Sequence, residues 1–113
     1  MAQSYDVVIK GTGMGEGEKV LVDNLMKAFI HTLAQRENLP AHIVFYGEGA
    51  KLTAKGSGCL EDLKELEKRG VKVMTCGICI DYYELNDHLE VGTITTMGEV
   101  VEILSNSNLI VEP

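Results

Sequence analysis

Five short apolar runs, rich in β-branched residues, recur along the chain at residues 5–10, 41–46, 71–75, 93–95 and 108–112. Runs of this length without polar alternation are typical of strands whose two faces are both covered. Longer stretches with helical spacing separate them. The pattern therefore predicts strands and helices in the order β-α-β-α-β-α-β-α-β.

The first intervening stretch, residues 18–35, has apolar side chains four positions apart. Such a stripe predicts an amphipathic helix that turns this face to the core. Its members are Leu21, Leu25, Phe29 and Leu33, widened by Met26 and Ile30. The residue before a proline disfavours helical geometry, so we expect the helix to end before Pro40.

Capping residues locate the other helices. Ser57 fits the N-cap of a second helix, and Gly70 fits its end. Asp81 and Thr96 each stand three residues before a glutamate, which is the spacing of a capping box. They predict a short third helix that ends near residue 89 and a fourth that ends near residue 104. Residues 47–58, before the second helix, have the composition of a polar loop.

Helical connections between successive strands favour a parallel sheet with helices on both faces. A chain of 113 residues suits one domain. We therefore predict a single domain over residues 1–113 in the α/β class, a three-layer α/β/α sandwich around a five-stranded parallel sheet. Ligands of such sheets bind outside the carboxyl ends of the strands.

Charge and composition narrow the range of functions. Lys and Arg total 10 against 17 for Asp and Glu, which gives a net charge of −7. An acidic chain repels a phosphate backbone, so we expect no nucleic-acid partner. The sequence has no apolar run of membrane-spanning length and no signal-peptide pattern at its start, so we expect no membrane association. These features predict a cytoplasmic protein whose three cysteines stay reduced.

The glycine-rich loop GTGMGEG, residues 11–17, follows the first strand and precedes the first helix. It resembles a dinucleotide fingerprint, but the third glycine position falls on Glu16, and no Gly-Lys-Ser/Thr pattern is present. A tight strand-to-helix turn is the simpler interpretation. The other interpretation is that Gly11, Thr12 and Gly13 let backbone N–H groups approach a small anion or a persulfide sulfur.

The stretch MTCGICIDYY places Cys76 and Cys79 three positions apart, directly after the third predicted strand. A zinc site needs about four ligands. Even with Cys59 the pair falls short, and no histidine has ligand spacing to it, so we predict no metal. A helix N-terminus favours a thiolate, which makes a reactive thiol the preferred interpretation for Cys76. Burial in the core competes with it for Cys79 and is preferred for Cys59.

The chain resembles the DsrE/DsrF-like sulfur-relay family. Within that family it is most similar to the carboxy-terminal domain of YedF-type proteins, which are sulfurtransferase-like or linked to selenium metabolism. The stretches that carry the resemblance are VVIKGTGMGEGE, VLVDNLMKAFIHTL, IVFYGEGAKLTAKGS with CLEDLKELEKRGV, and CGICIDYYEL. The last is the most specific, because the relay proteins place their sulfur-carrying cysteine after the third strand, where Cys76 stands.

The resemblance implies a parallel α/β/α fold and a relay of sulfur or selenium, without a cofactor, in which Cys76 carries a persulfide to an acceptor thiol. It leaves open whether the chain acts as an enzyme, a sulfurtransferase. It also implies a homo-oligomer, a trimer or hexamer. YedF-type chains usually carry an amino-terminal TusA-like domain that is not part of this sequence, so we expect a TusA-like sulfur carrier as a partner in trans.

Sulfur exchange needs an accessible thiolate and polar groups that stabilise anionic sulfur. The backbone N–H groups of Gly77 and Ile78 are candidates for that role, and Lys51 is a candidate source of positive charge. Cys79 is the candidate resolving thiol, which would release the sulfur by forming a disulfide with Cys76.

Tyr46 and Tyr82 are candidates for the pocket wall or for a subunit interface, where tyrosine is common. Two other functions stay open at this point. One is a module that binds a small anion or nucleotide at the glycine-rich rim. The other is a dithiol oxidoreductase that cycles both Cys76 and Cys79.

Overall fold

The computed structural model describes residues 4–113, and within them five strands alternate with four α-helices. The strands are β1 Asp6–Ile9, β2 His42–Phe45, β3 Lys72–Cys76, β4 Thr93–Thr95 and β5 Ile110–Val111. The α-helices are α1 Lys19–Ala34, α2 Leu60–Lys68, α3 Gly77–Tyr82 and α4 Met97–Ser105, and a 3-10 helix spans Gly47–Thr53.

The strands form one sheet in the order β4-β3-β2-β1-β5, and every neighbouring pair is parallel. The predicted five-stranded parallel α/β/α fold is therefore confirmed. Successive side chains of a strand point to opposite faces of the sheet. Val7, Ile43 and Val73 join the core cluster that contains residues of α1 and α2. The alternate residues, among them Met74 and Cys76, therefore point to the other face, which α3 and α4 cover.

Helix α1 buries a different stripe from the one that the four-residue spacing predicted. Met26, Ile30 and Leu33 are buried, whereas Leu21 is 54% exposed and Leu25 is 43% exposed. The reason is helical geometry. With 3.6 residues per turn, each four-residue step advances about 40° around the axis, so Leu21 lies about 120° away from Leu33. The first half of the predicted stripe therefore faces outward.

The predicted polar loop at residues 47–58 is wrong in its first half, because that half is the 3-10 helix. Ala50, Leu52 and Thr53 are buried in it. The predicted N-cap is also wrong. Helix α2 starts at Leu60, and Ser57 Oγ instead accepts the N–H of Cys59 at 3.1 Å, which closes the turn before the helix.

The third helix starts earlier than its capping pattern predicted, so Asp81 lies within it and caps nothing. It follows β3 without a loop and stops at a left-handed residue, Glu84, with φ 55°. The N–H of Leu85 donates to the carbonyl of Ile80 at 2.8 Å, as in a Schellman C-cap. The predicted cap of α4 is confirmed, because Thr96 Oγ accepts the N–H of Glu99 at 3.2 Å.

At the amino-terminal edge of the sheet, the buried carboxylate of Asp6 joins three segments. One of its oxygens lies 2.7 Å from His42 Nδ1 on β2, and the other accepts the hydroxyl of Ser107 at 2.5 Å. The N–H of Asp6 also donates to the carbonyl of Leu109 at 2.9 Å. Because β5 has only two residues, these bonds are a large part of what holds the carboxyl-terminal segment against β1.

We expect Asp6→Asn to lower the free energy of unfolding by about 1–3 kcal/mol, because one of two buried acceptor oxygens becomes a donor. The measurement is urea denaturation. A matched control is Glu112→Gln, which removes a carboxylate from the exposed Lys10 pair at 3.5 Å. That pair should contribute less than about 1 kcal/mol. Equal losses for the two variants would contradict the role given to Asp6.

Candidate functional site

The candidate site begins where β3 passes directly into α3. Cys76 is both the last residue of β3 and the N-cap of α3, with extended backbone angles of φ −61° and ψ 127°. A side chain at the next residue would be tightly packed, because a Cβ at Gly77 would lie 3.2 Å from Ile94 Cγ2 and 3.4 Å from the carbonyl of Thr95. The neighbouring strand β4 thus crowds this junction and holds Cys76 at the carboxyl end of the sheet.

The first turn of α3 brings the second thiol close to the first. Residues three apart on a helix lie on one face, and the Cys76 thiol contributes to the raised pKa of Cys79. Cys76 is only 1% exposed, whereas Cys79 is partly exposed. A ligand therefore meets Cys79 first and reaches Cys76 behind it.

A backbone donor from the 3-10 helix points at the thiol pair. The N–H of Gly47 donates to Cys79 Sγ at 3.1 Å. Gly47 has a left-handed φ of 59°, and a Cβ there would lie 2.9 Å from the carbonyl oxygen of Lys10. A Cβ at Gly49 would lie 2.3 Å from the carbonyl oxygen of Ile9. Gly47 is not among the site residues predicted from the sequence, although the GEG triplet soon after β2 is the signal that could have indicated it.

Two buried threonines hold the 3-10 helix against β3. Thr75 Oγ donates to Thr53 Oγ at 3.0 Å, and Thr53 Oγ donates to the carbonyl of Ala50 at 2.8 Å. Thr75 immediately precedes Cys76, so this chain of hydroxyls links the position of the 3-10 helix to the position of the thiol. Neither threonine stood out in the sequence, because only the fold brings residues 53 and 75 together.

The environment of Cys79 disfavours its thiolate. Burial raises the pKa of the Cys79 thiol, the Gly47 N–H opposes that rise, and the neighbouring Cys76 adds to it. Burial is the largest of these effects because the charged form loses hydration. At neutral pH, Cys79 is therefore a protonated thiol and a hydrogen-bond donor to whatever sulfur lies beside it.

An apolar cleft of about 330 Å³ opens over the two thiols. Tyr46, Gly47 and Ile78 line one side of it. Helix α4 supplies the other side with Met97, Val100, Val101 and Leu104. Such a wall makes the surroundings of the sulfur atoms apolar and offers contact area to an apolar segment.

The predicted site residues do not all meet at this cleft. Tyr46 and Ile78 lie in its wall with the two cysteines, whereas Thr12 and Lys51 line a second cleft of about 420 Å³. The Lys51 ammonium lies 4.6 Å from the ring centre of Tyr83 and 3.5 Å from Glu48. The 3-10 helix contributes to both clefts, with Gly47 at the first and Lys51 at the second.

The remaining predicted residues line neither cleft. Gly11 and Gly13 form the loop before α1, and a Cβ at Gly13 would lie 2.5 Å from Val22 Cγ2. This close approach agrees with the simpler interpretation of a tight turn. Gly77 provides the junction described above. Tyr82 is 79% exposed and makes an edge-to-face contact with Tyr83 at 5.1 Å.

Cys59 is buried in the core, apart from the thiol pair. Burial raises its pKa, as expected for an inert thiol. Within residues 4–113, no group of three or more His, Cys, Asp or Glu side chains is arranged to hold a metal ion. In the same part of the chain, every helix is too short or too polar to cross a membrane.

The family model for the DsrE/DsrF-like family matches residues 25–113, most of the chain and all of the thiol cleft. The chain belongs to the DsrE/DsrF-like family. This family is associated with sulfur relay. A comparison with curated proteins finds no match.

Solved structures share the fold of this DsrE-like chain. The ychN protein from E. coli is 18% identical, with a TM-score of 0.72 over 99% of this chain and 100% of that one. MTH1491 from Methanobacterium thermoautotrophicum is 21% identical, with a TM-score of 0.65 over 97% and 100%. BT1422 from Bacteroides thetaiotaomicron is 18% identical, with a TM-score of 0.62 over 96% and 94%. At these identities the likeness concerns the fold alone.

The raised pKa of Cys79 predicts a pH profile. In a Cys59→Ser/Cys76→Ser variant, we expect alkylation of Cys79 to reach half its maximal rate at a higher pH than that of an ordinary thiol, about 8.5. The direction follows from burial, which the variant retains. The control is the same variant unfolded in urea, which removes the burial. Coincident folded and unfolded profiles would contradict the effect of burial on Cys79.

Proposed function

We propose that this chain is a sulfur or selenium relay protein that carries a persulfide on Cys76 and passes it to an acceptor thiol. The observation that carries the proposal is that two thiols, Cys76 and Cys79, line one apolar cleft at the carboxyl end of a DsrE-like sheet. Carboxyl ends of parallel strands are where ligands of such sheets bind. We further propose that the chain is of the YedF type and works in the cytoplasm, where thiols stay reduced.

The loading step is a thiol exchange. The Cys76 thiolate attacks the terminal sulfur of a donor persulfide, the donor's S–S bond breaks, and the donor leaves as a thiolate. Cys76 then holds the terminal sulfur as a persulfide. In the unloading step, an acceptor thiolate attacks that same terminal sulfur, and Cys76 leaves as a thiolate. No net oxidation or reduction occurs across the two steps.

Cys79 has two uses in this scheme. As a protonated thiol it is available to donate a hydrogen bond to a persulfide on Cys76, which would stabilise the anionic sulfur. When it loses its proton, it can attack the inner sulfur of the Cys76 persulfide. That attack forms a Cys76–Cys79 disulfide and releases hydrosulfide, and an external dithiol must then reduce the disulfide. Because Cys79 is protonated at neutral pH, a hydrogen bond to the persulfide is favoured over attack on it.

The burial of Cys76 implies that the partner must insert its reactive sulfur into the cleft. Ile78, Met97 and Val101 line the cleft and are exposed at its rim. An extended apolar segment that carries a cysteine fits this rim, and a TusA-like sulfur carrier acting in trans is the partner that we propose. The same cleft excludes water and so protects the persulfide between transfers.

We also propose that the chain forms a homo-oligomer, a trimer or hexamer. The exposed apolar side chains around the cleft are numerous for a monomer of 12.3 kDa. They are Ile78, Tyr82, Ile94, Met97 and Val101. Oligomers of small domains are usually closed and symmetric, and a subunit packed on part of this surface would leave the thiols at the edge of the contact.

The relay function predicts that one cysteine gains sulfur. After incubation with a small persulfide donor, intact-mass analysis should show one added sulfur atom on the wild type and on Cys59→Ser. Cys76→Ser should gain none. Cys79→Ser should gain sulfur and keep it longer, because disulfide formation is no longer available.

Two results would contradict this assignment. Retention of the added sulfur by Cys76→Ser, with loss in Cys79→Ser, would make Cys79 the carrier. A wild type that gains no sulfur, but interconverts between dithiol and disulfide with small oxidants, would favour a dithiol oxidoreductase that cycles Cys76 and Cys79.

The assembly proposal predicts a mass by light scattering of three or six times 12.3 kDa at micromolar concentration. Tyr82→Glu should lower that mass, because a charge buried in an interface is costly. The matched control is Val20→Glu on α1, where the exposed fraction is 76% against 79% for Tyr82. A monomeric wild type, or dissociation caused only by Val20→Glu, would contradict the proposed interface.

A further inference from the structure

The second cleft concentrates positive charge in a chain whose net charge is −7. It has a volume of about 420 Å³ and lies between α1 and the segment that follows β2. Lys19 and Lys27 line it from α1, and Lys51 and Lys55 line it from the other side. Four of the ten basic residues of the chain thus surround one concavity.

The carboxylates near this cleft are already engaged. Asp23 is the only acidic residue among the described residues of its wall. Its two oxygens bind Lys19 at 2.7 Å and the hydroxyl of Thr12 at 3.3 Å. Lys51 lies 3.5 Å from Glu48. Within residues 4–113, Lys27 and Lys55 form no ion pair, so their charges face the cleft uncompensated.

The wall also supplies neutral donors. Ser57 Oγ accepts the N–H of Cys59, which leaves the hydroxyl hydrogen of Ser57 for a ligand. The Lys27 side chain lies over Gly58, where a Cβ would be in ordinary contact, 3.6 Å from Lys27 Nζ. Helix α2 begins at Leu60, but Glu61 and Asp62 in its first turn offset the positive end of its dipole, so the positive field of the cleft comes from the lysines.

Ordinary solvated lysines are the competing explanation, and the arrangement argues against it. Lysines that serve only solubility gain from being spread over the surface, whereas the ammonium groups of Lys27 and Lys55, unpaired within residues 4–113, share one concavity and repel each other. A multiply charged anion between them relieves that repulsion. The wall has no aromatic side chain among the described residues, so nothing in it would stack on a nucleotide base.

We propose that this lysine cleft binds a small phosphate-bearing anion. Lysine recognises phosphate as a point charge, and the volume suits a small ligand rather than a polymer. The lysine cleft shares no lining residue with the thiol cleft. It is therefore a second site, independent of the persulfide chemistry proposed for Cys76.

The test is titration calorimetry of the full chain with pyrophosphate, inorganic phosphate and a phosphomonoester such as glycerol phosphate. We expect saturable binding of pyrophosphate that weakens at higher salt. The double variant Lys27→Gln/Lys55→Gln should raise the Kd at least fivefold, since two charge contacts to the ligand are lost. If the phosphomonoester binds more tightly than inorganic phosphate, the natural ligand is a phosphorylated metabolite and not free phosphate.

The matched control is Lys64→Gln/Lys68→Gln, which makes the same change in net charge on the exposed face of α2, outside the cleft. We expect this control to change the Kd less than twofold. An equal loss in both double variants would show general charge attraction and overturn the proposal, as would absence of binding by the wild type. Cys76→Ser should bind pyrophosphate normally, so failure of the relay function and failure of this site are separable.

Discussion

The candidate site depends on one close approach of backbone to backbone. The 3-10 helix crosses the carboxyl end of β1 so closely that a Cβ at Gly49 would lie 2.3 Å from the carbonyl oxygen of Ile9. Only glycine can occupy that position without moving the strand. Because the helix lies there, the Gly47 N–H reaches Cys79 Sγ, while Lys51 on the same helix lines the second cleft. The same contact therefore creates the polar donor of the thiol cleft and separates that cleft from the lysines.

The direct passage from β3 into α3 sets the chemistry of the thiols. With no loop between them, Cys76 keeps the burial of a strand residue and also stands at the start of a helix. Cys79, one helical turn later, lines the same cleft and is the more exposed of the two thiols. A buried persulfide is shielded from solvent, but a partner can reach it only through the apolar cleft. Access and protection are thus controlled by the same few side chains, chiefly Ile78 from α3 and Val101 from α4.

Local sequence patterns predicted the order of strands and helices, because the spacing of apolar residues within a segment indicates the type of element and which of its faces is buried. The strand runs and the caps at Gly70 and Thr96 depend on few neighbours, and the structure has them where predicted. Errors arose where several local choices were compatible with the sequence. The face of α1 was misjudged because a four-residue spacing drifts around the axis. Ser57 and Asp81 had capping chemistry, but the chain used Ser57 in a turn and placed Asp81 inside α3.

By itself, the sequence determined the parallel α/β fold, the family, and the position of Cys76 at the carboxyl end of the third strand. Each of these depends on patterns within continuous segments of the chain. The tertiary structure alone decided which distant residues meet. It joined Gly47 to Cys79, and Thr53 to Thr75, and it placed Lys51 in the wall of the second cleft instead of the thiol cleft. The physical reason is that these contacts depend on strand order and on the path of the 3-10 helix over β1. Neither follows from the periodicity of any single segment.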